Sequence, residues 1–286
     1  MICLMNLRNL LALTTIKPIA LSASGCWLYD HCPEAYRLHY KKFYQPKKNE
    51  NAKLFISKVV HEIGATWLTS KDRSDWDQKL QIHILQALTK ESIPQDKQAF
   101  FIEKITDLSE RYIELLSRLR LQEKKISTEE MYGCTFKTPI QMTETWSFVG
   151  AADIVVFTDF GDSIFDAKWS WQPERLSRNQ INIYATAHET ILKRPVTTTG
   201  FIVFGPQKIV TFNFGQKQKE ETLQKMNRIT TEIINNKFIA SPQPTKCKYC
   251  EYSFYCEHKI IINDEGEPSN VTKYSTESRD IFDESL

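Results

Sequence analysis

The sequence predicts a mixed α/β domain with a helical insertion. Apolar residues recur at helical spacing in the first half of the chain, for example at Phe55, Val59, Ile63 and Trp67, each four apart. Segments rich in β-branched and aromatic residues, typical of strands, follow from residue 132. A chain of 286 residues with 41% apolar content can bury a sizeable core, which excludes a disordered or fibrous protein.

The predicted elements follow one another along the chain. A first helix is capped by Ser22 or Ser24 and is interrupted near Pro33. Further helices are predicted over residues 53–69, 75–91, 97–122, 178–192 and 218–238. Strands are predicted over residues 132–142, 145–157, 163–169, 197–204 and 208–214. The expected domain spans residues 20–262, with its helical insertion at about 70–125, after an N-terminal extension of residues 1–19.

The distribution of net charge and the number of cysteines limit the classes of function that fit the sequence. Residues 263–286 hold seven acidic and two basic residues, which leaves the rest of the chain with a net charge of +7. This acidic tail is expected to be disordered, and the basic body is compatible with a polyanionic partner. Seven cysteines, three of them within residues 247–256, favour a reducing, cytoplasmic compartment and a metal site over disulfides. We expect no membrane segment, because no apolar run reaches the roughly 18 residues that a span requires.

An acidic residue, Asp153, stands inside an otherwise apolar strand, and Asp166 and Lys168 follow across a tight turn. A buried carboxylate is costly unless it is paired or binds a metal. Residues at i and i+2 share a strand face, so Asp166 and Lys168 point the same way, and a hairpin can bring Asp153 beside them. Two carboxylates and a lysine suit a Mg²⁺ or Mn²⁺ site that activates water. The alternative is an ordinary Asp–Lys ion pair on a solvated strand face.

The ordered series of polar residues resembles the PD-(D/E)XK nuclease superfamily. Asp153 three residues after a glycine, the Asp166-Ala167-Lys168 segment on the next strand, and Gln180 and Tyr184 one turn apart on a helix are similar to its RecB-like branch. An upstream helical histidine, His61, fits the same branch. The resemblance implies a restriction-endonuclease-like core, in which helices flank a mixed central sheet.

The same resemblance implies a role for each residue of the series. His61, Asp153, Asp166 and the Ala167 carbonyl would bind the metal. Lys168 would be the catalytic lysine, and Gln180 and Tyr184 would position the DNA or the metal-site residues. Trp169 departs from the small hydroxyl residue that often follows the lysine in this family.

A second motif, Cys247, Cys250 and Cys256, has the spacing C-x2-C-x5-C. A tetrahedral site or a cubane cluster needs four ligands, and His258 or Cys32 can supply the fourth. His258 would complete a zinc site. Cys32, in a Cys-Pro-x-x-Tyr segment, makes the pattern similar to iron–sulfur nucleases such as the CRISPR-associated exonucleases of the Cas-four group and AddB-type subunits. That resemblance implies a 4Fe–4S cluster that joins the N- and C-terminal regions.

A third feature is the segment 36–48, in which five Lys or Arg residues and four aromatic residues alternate without an acidic residue. Bases can stack on aromatic rings while cations follow the phosphates, so the segment suits single-stranded nucleic acid. The candidate binding residues are Arg37, Tyr40, Lys41, Lys42 and Tyr44. The alternative is that Tyr36 and Tyr40 face the core and the lysines are merely solvated.

These features together predict a metal-dependent DNA nuclease, an exonuclease acting on single-stranded ends in DNA repair, recombination or CRISPR-type DNA processing. A helicase or a CRISPR-adaptation protein is a possible partner, since the chain has no P-loop motif of its own. One alternative is a non-catalytic nucleic-acid-binding subunit of a nuclease or helicase complex. Another is a zinc-bearing scaffold protein.

Overall fold

The structure, a computed structural model, describes residues 18–42, 52–120, 125–132, 140–170, 178–262 and 268–270. The described residues divide into two compact units. The first unit comprises those up to Trp27 and those from residue 52 to Ile234. The second comprises those from Leu28 to residue 42 and those from Asn235 onward.

The elements are numbered in chain order. The helices are α1 Ala23–His31, α2 Pro33–Tyr36, α3 Ala52–Thr69, α4 Trp76–Lys90, α5 Gln95–Arg120, α6 Arg178–Leu192, α7 Gln216–Ile234 and α8 Pro244–Lys248, with a π-helical turn at Arg37–Lys41. The strands are β1 Ile19–Leu21, β2 Lys125–Tyr132, β3 Ile140–Gln141, β4 Trp146–Phe148, β5 Gly150–Phe157, β6 Asp162–Lys168, β7 Val196–Val203, β8 Lys208–Asn213, β9 Ile260–Ile262 and β10 Pro268–Asn270.

The central sheet of the first unit has five strands in the order β2-β5-β6-β7-β8. Strands β6 and β7 pair in parallel, and the other neighbours pair antiparallel. The parallel pair is possible because α6 forms the crossover between the two strands. A smaller sheet in the order β1-β4-β3 lies in the same unit, and β9 pairs with β10 in the second unit.

Helices cover both faces of the central sheet. Ile154, Phe165 and Ile202 pack in one core cluster with apolar residues of α3, α4 and α5. Phe201 and Val203 flank Ile202 in sequence and pack with Ile181 of α6. Because neighbouring residues of a strand face opposite sides, α6 lies on the sheet face opposite to α3–α5. Each fully buried Ile or Phe of these layers contributes about 1.5–3 kcal/mol to the free energy of unfolding.

The turn between β5 and β6 requires a glycine. Gly161 has a φ of +134°, a backbone conformation that residues with a side chain rarely adopt. A Cβ atom at this position would also lie 2.5 Å from Cγ2 of Thr197. Gly161 therefore lets the chain reverse tightly enough for β6 to begin at Asp162.

Most predicted helices are confirmed, and the predicted break near Pro33 separates α1 from α2. Of the strand predicted over residues 132–142, Tyr132 ends β2 and Ile140–Gln141 form β3, while residues 133–139 lie outside the described ranges. Residues 125–131 of β2 were not predicted as a strand. The two glutamates of β2 break the apolar alternation that predicts a strand. An edge strand such as β2 nevertheless tolerates charged residues. The strand predicted over 145–157 is two strands, β4 and β5.

Other predictions fall partly outside the described ranges. Of the acidic tail, only 268–270 is described, where it pairs with β9, and residues 1–17 and 271–286 lie outside. The helices α4 and α5 occupy the segment predicted as an insertion, and its status as an insertion stays a prediction. None of the described helices is both long enough and apolar enough to cross a membrane.

Candidate active site and cysteine-lined cavity

Strands β5 and β6 separate at the point where both carry an aspartate. Their antiparallel ladder ends at the pair Ile154 and Phe165, and one more residue of the same register would set Asp153 opposite Asp166. Instead, the backbone N–H of Ala167 donates a hydrogen bond of 2.8 Å to Oδ2 of Asp153. The Asp153 side chain thus takes the place of a backbone acceptor. Residues directly opposite each other share a sheet face, so the two carboxylates lie on the same side.

Asp166 is almost completely buried, with 2% of its surface exposed. Its Oδ1 accepts a hydrogen bond of 3.0 Å from Nε2 of Gln180. Its Oδ2 lies 2.6 Å from Nζ of Lys168 in an ion pair. Apart from this ion pair, no group among the described residues donates a hydrogen bond to the buried Oδ2. Asp166 therefore keeps one buried oxygen that can bind a further positive charge.

The surroundings of Asp166 shift the pKa of three groups. Burial is the largest cause that raises the pKa of Asp166 to about 6, and the Asp153 carboxylate is the second. Lys168 and His61 oppose this rise. Burial alone would lower the pKa of Lys168, but the contact with Asp166 outweighs it and raises that pKa. Burial raises the pKa of Tyr184 to about 12. Lys168 is therefore a cation, and Tyr184 a neutral phenol, across the physiological pH range.

His61 approaches the same point from helix α3. Its Nδ1 lies 3.7 Å from Oδ2 of Asp153. The imidazole ring packs beside Tyr112 and Phe204, with ring centroids 6.1 and 5.9 Å away. Gly64, one turn further along α3, makes room for Tyr112, because a Cβ atom there would lie 2.2 Å from the Tyr112 ring. The aromatic pair and the glycine thus hold His61 against the ends of the strands.

Gln180 and Tyr184 reach the site from the opposite sheet face, one turn apart on α6. Tyr184 packs edge to face on Phe148 at 6.2 Å between ring centroids. The hydrogen bond with Gln180 lowers the pKa of the Tyr184 hydroxyl, whereas the negative charges of Asp166 and Asp153 raise it. The structure therefore brings all the predicted residues of the series to one end of β5 and β6. Their individual roles stay predictions.

A family model of the PD-(D/E)XK nuclease superfamily matches residues 20–257. The chain belongs to this nuclease superfamily. Proteins of the superfamily are metal-dependent nucleases that typically use Mg²⁺ or Mn²⁺. The RecB-like or Cas-four-like branch stays a prediction.

Two further comparisons add little to this PD-(D/E)XK assignment. No curated protein matches the chain. A solved structure entitled "Crystal structure of SSO0001" is similar over 71% of this chain and 96% of its own, with 12% identity and a TM-score of 0.33. That likeness is too distant to carry an argument about fold or function.

The donor set of the site suits the divalent metal that the superfamily implies. Two neighbouring carboxylates supply the hard oxygen ligands that Mg²⁺ and Mn²⁺ prefer. Burial is the largest cause of the raised pKa of Asp166, and a bound cation would relieve the second cause, which is repulsion by Asp153. The buried Oδ2 of Asp166 is a ready ligand. However, within the ranges that the structure describes, no group of three or more His, Cys, Asp or Glu side chains is arranged to hold a metal ion.

A second cluster of candidate ligands lies in the second unit. Cys32, Cys247, Cys250 and Cys256 line one cavity, together with His258. None of the four cysteines is in a disulfide. Burial is the largest cause of a raised pKa at two of the thiols, Cys250 and Cys256. The structure and the comparisons do not support a 4Fe–4S cluster here, and its assignment stays a prediction from the resemblance.

The predicted nucleic-acid segment is partly engaged within the second unit. Arg37 donates two hydrogen bonds of 2.6 Å to the Glu34 carboxylate. The Tyr40 ring packs on Tyr36, which is buried, with centroids 4.6 Å apart. Lys41 and Lys42 are exposed, and Tyr44 lies outside the described residues. The core-facing alternative is therefore correct for Tyr36, whereas Tyr40 keeps an exposed edge.

One polar network near the site was not predicted from the sequence. Asp162 contacts both His188 and Arg194, on the same side of the sheet as α6. Two spacings could have indicated it, because Asp162 lies four residues before Asp166 on β6 and His188 lies four residues after Tyr184 on α6. These spacings repeat the strand and helix faces on which the predicted site residues stand.

Proposed function

We propose that this protein is a divalent-metal-dependent deoxyribonuclease, an exonuclease that acts on single-stranded DNA ends. The observation that carries the proposal is the buried Asp166, which lies beside Asp153 and Lys168 and keeps an oxygen without a hydrogen bond. Asp153 and Asp166 would hold the cation, with the Ala167 carbonyl and His61 as further ligands. When bound, the metal supplies an activated water and neutralises charge on the phosphodiester.

Lys168 supports the reaction through its charge and its reach. It is a cation held against Asp166, and it can turn one of its three N–H donors to a phosphate oxygen as negative charge develops there. It can also orient the attacking water. Such a preorganised donor contributes most where bulk water is excluded, as it is around the buried Asp166.

Gln180 and Tyr184 act as neutral hydrogen-bonding groups. Gln180 fixes the orientation of the Asp166 carboxylate through its 3.0 Å hydrogen bond. Tyr184 stays protonated, because its pKa is raised to about 12, and its hydroxyl can donate to a DNA phosphate or to the site residues. A fixed carboxylate needs no reorganisation during the reaction.

The substrate class follows from the superfamily and from the segment at the start of the second unit. A nuclease fold implies a nucleic-acid substrate. Exposed Lys41 and Lys42, with Arg37, Tyr40 and Tyr44 in the same segment, are our candidates for contacts with single-stranded DNA. We further propose a cytoplasmic protein of DNA repair, recombination or CRISPR-type processing, with a helicase or adaptation protein as a possible partner.

A thiolate-bound group at Cys32, Cys247, Cys250 and Cys256 belongs to the same proposal. Four free cysteines on one cavity are a donor set that suits a 4Fe–4S cluster. Zinc on Cys247, Cys250, Cys256 and His258 is the competing assignment, since all four of these residues line the cavity too. Its role would be structural, because it would join two chain segments that are distant in sequence.

Digestion of end-labelled DNA tests the proposed function. Wild-type protein is mixed with 5′- or 3′-labelled single- and double-stranded DNA in Mg²⁺, Mn²⁺ or EDTA, beside Lys168→Ala and Asp166→Asn. We expect metal-dependent release of short products from single strands, and a fall of at least about a hundredfold in both variants. Lys90→Ala, a change at the exposed end of α4, is the matched control and should keep the wild-type rate. Wild-type cleavage by Lys168→Ala would refute the assignment.

A non-catalytic DNA-binding subunit is the second candidate. The lack of a three-donor metal group among the described residues favours it. Tight binding of single-stranded DNA without cleavage in either metal would support this candidate against the first. A zinc-bearing scaffold would instead bind neither DNA nor catalytic metal.

A further inference from the structure

Two side-chain hydrogen bonds attach helix α6 to strand β6. Near the beginning of the helix, Gln180 donates to Asp166 at 3.0 Å. Near its end, Nε2 of His188 lies 2.8 Å from Oδ2 of Asp162. A carboxylate can only accept, so the His188 ring carries its proton on Nε2 and donates it.

The two attachments are spaced alike on both elements. Asp162 and Asp166 are four residues apart on the strand, which is about 13 Å at 3.3 Å per residue. Gln180 and His188 are eight residues apart on the helix, which is about 12 Å at 1.5 Å per residue. All four side chains stand on faces that meet, because four is an even number of strand residues and eight is close to two helical turns. The helix therefore runs antiparallel to β6 in one fixed register.

The attachment at Asp162 is fully buried and fully satisfied. Asp162 and His188 each have 0% of their side-chain surface exposed. Arg194 donates to both carboxylate oxygens at 2.7 Å, and the backbone N–H of Thr158 donates to Oδ1 at 3.2 Å. Arg194 also donates to the carbonyl of Thr158 at 2.8 Å. The carboxylate is thus held from several sides and serves as a fixed point for the helix.

We propose that Asp162 and His188 are positioning residues, which hold α6 in the register that keeps Gln180 on Asp166. They cannot touch DNA, because both are buried. Apolar packing such as that of Ile181 on Phe201 and Val203 is not directional, so one attachment at Asp166 alone would leave a small freedom in the register and rotation of the helix. The second attachment removes that freedom, so the buried pair acts on the carboxylate that we assign to the metal. The expected effect on kcat rests on the proposed nuclease function. The expected effect on the hydrogen bond between Gln180 and Asp166 rests on geometry alone.

The kinetic test compares His188→Leu with His188→Gln. Leu fills the space without a donor, and Gln keeps an N–H that can reach Asp162. We expect kcat to fall by about 10- to 100-fold in the Leu variant, since small misplacements of reacting groups have effects of that size. KM for DNA should stay within about twofold, and the Gln variant should recover most of kcat. Thr190→Ala, whose hydroxyl bonds within α6 to the carbonyl of Thr186, is the matched control.

A double-mutant comparison separates positioning from general stability. In a Gln180→Ala background, the His188→Leu change should cost little further activity, because the hydrogen bond that it positions is already gone. A merely structural role would reduce activity by the same factor in both backgrounds, and that result would overturn the inference. If the Leu variant does not fold, His188→Asn replaces it, since its shorter side chain does not reach Asp162.

Crystal structures of His188→Leu and His188→Gln test the positioning role independently of nuclease activity. We expect the distance between Nε2 of Gln180 and Oδ1 of Asp166 to exceed hydrogen-bond range in His188→Leu and to return to 3.0 Å in His188→Gln. An unchanged distance in the Leu variant would overturn the inference. If wild-type protein cleaves no DNA, the proposed function fails on its own, while this distance still tests the positioning pair.

Discussion

Asp162 and Asp166 lie four residues apart on the same face of β6, and their surroundings shift the pKa values of their carboxylates in opposite directions. Both side chains are almost completely buried. At Asp162, burial would raise the pKa, but hydrogen bonds from Arg194 and His188 outweigh it and lower that pKa. At Asp166, burial and the Asp153 charge raise the pKa to about 6. One strand thus carries a carboxylate that stabilises the fold and a second whose raised pKa suits it to chemistry.

The first prediction concerns acid stability. Because the pKa of folded Asp162 is lowered, its contribution is present above its unfolded pKa of about 3.9 and is lost as the pH falls through the folded value. Asp162→Asn should lower the free energy of unfolding at pH 7 by about 2–3 kcal/mol, less than for a fully buried ion pair, since Arg194 is partly exposed. Urea denaturation at several pH values should show the gap between variant and wild type closing below about pH 4. A gap that is independent of pH would contradict the prediction.

The second prediction concerns the space that Gly64 leaves for Tyr112. A Cβ atom at residue 64 would lie 2.2 Å from the Tyr112 ring, which itself packs beside His61. Gly64→Ala should therefore lower the free energy of unfolding by about 1–3 kcal/mol through overpacking, and should reduce metal-dependent activity by displacing His61. Thermal denaturation and the digestion assay measure both effects.

A second substitution shows whether the contact with Tyr112 is the cause. In a Tyr112→Leu background the smaller side chain leaves room for a methyl group, so Gly64→Ala should be nearly neutral there. Equal destabilisation in both backgrounds would mean that the glycine is needed for another reason.

Sequence patterns were sufficient for the long helices and for the order of the site residues, whereas the short α8 was not predicted. Helix α6 was predicted at its observed bounds, and the hairpin between Asp153 and Asp166 follows from two apolar strands around a tight turn. Residues 125–131 of β2 were not predicted as a strand, because the charged residues of this segment break the apolar alternation. Strand β1 was not predicted, because three residues are too few to show a period.

The partners of Asp162 could not be read from the sequence, although Asp153 and Lys168 were expected beside Asp166. Asp162 lies between Gly161 and Ser163, whereas Asp166 lies two residues before Lys168, but these neighbours alone do not explain why the pKa of one carboxylate is lowered and that of the other is raised. The difference comes from residues that are distant in sequence, namely Arg194 and His188 at one and Gln180 and Asp153 at the other. Such pairings depend on the register of α6 on β6, which only the folded chain determines.

The third prediction concerns metal binding at the carboxylates. A ligand that binds only the folded state adds about 2.7 kcal/mol to its stability at a hundred times the Kd. Mn²⁺ should therefore raise the melting temperature of the wild type, and Asp166→Asn or Asp153→Asn should abolish the rise. Asp107→Asn, a change at a partly exposed residue of α5 that pairs with Arg111, is the control and should keep it. Mn²⁺ stabilisation that persists in Asp166→Asn would place the metal elsewhere.

The fourth prediction separates the two assignments of the cysteine-lined cavity. A cluster on Cys32, Cys247, Cys250 and Cys256 makes the protein brown under anaerobic conditions, and Cys32→Ser should remove both the colour and the iron. His258→Ala should then leave the iron content unchanged. For zinc the outcome reverses, because His258 becomes a ligand and Cys32 does not. Metal analysis of the purified variants measures the difference, and the removed ligand should lower the free energy of unfolding by several kcal/mol.

The control for this last prediction is a cysteine that lies away from the cavity. Cys26 is buried in the first unit, where its thiol contacts the sulfur of Met226 at 3.3 Å. Cys26→Ala should therefore keep the full metal content, whichever metal is bound. If neither Cys32→Ser nor His258→Ala changes the metal content, the cavity holds no metal. The thiols would then be apolar packing groups around Ala35, Leu38 and Tyr252, which three of them already contact.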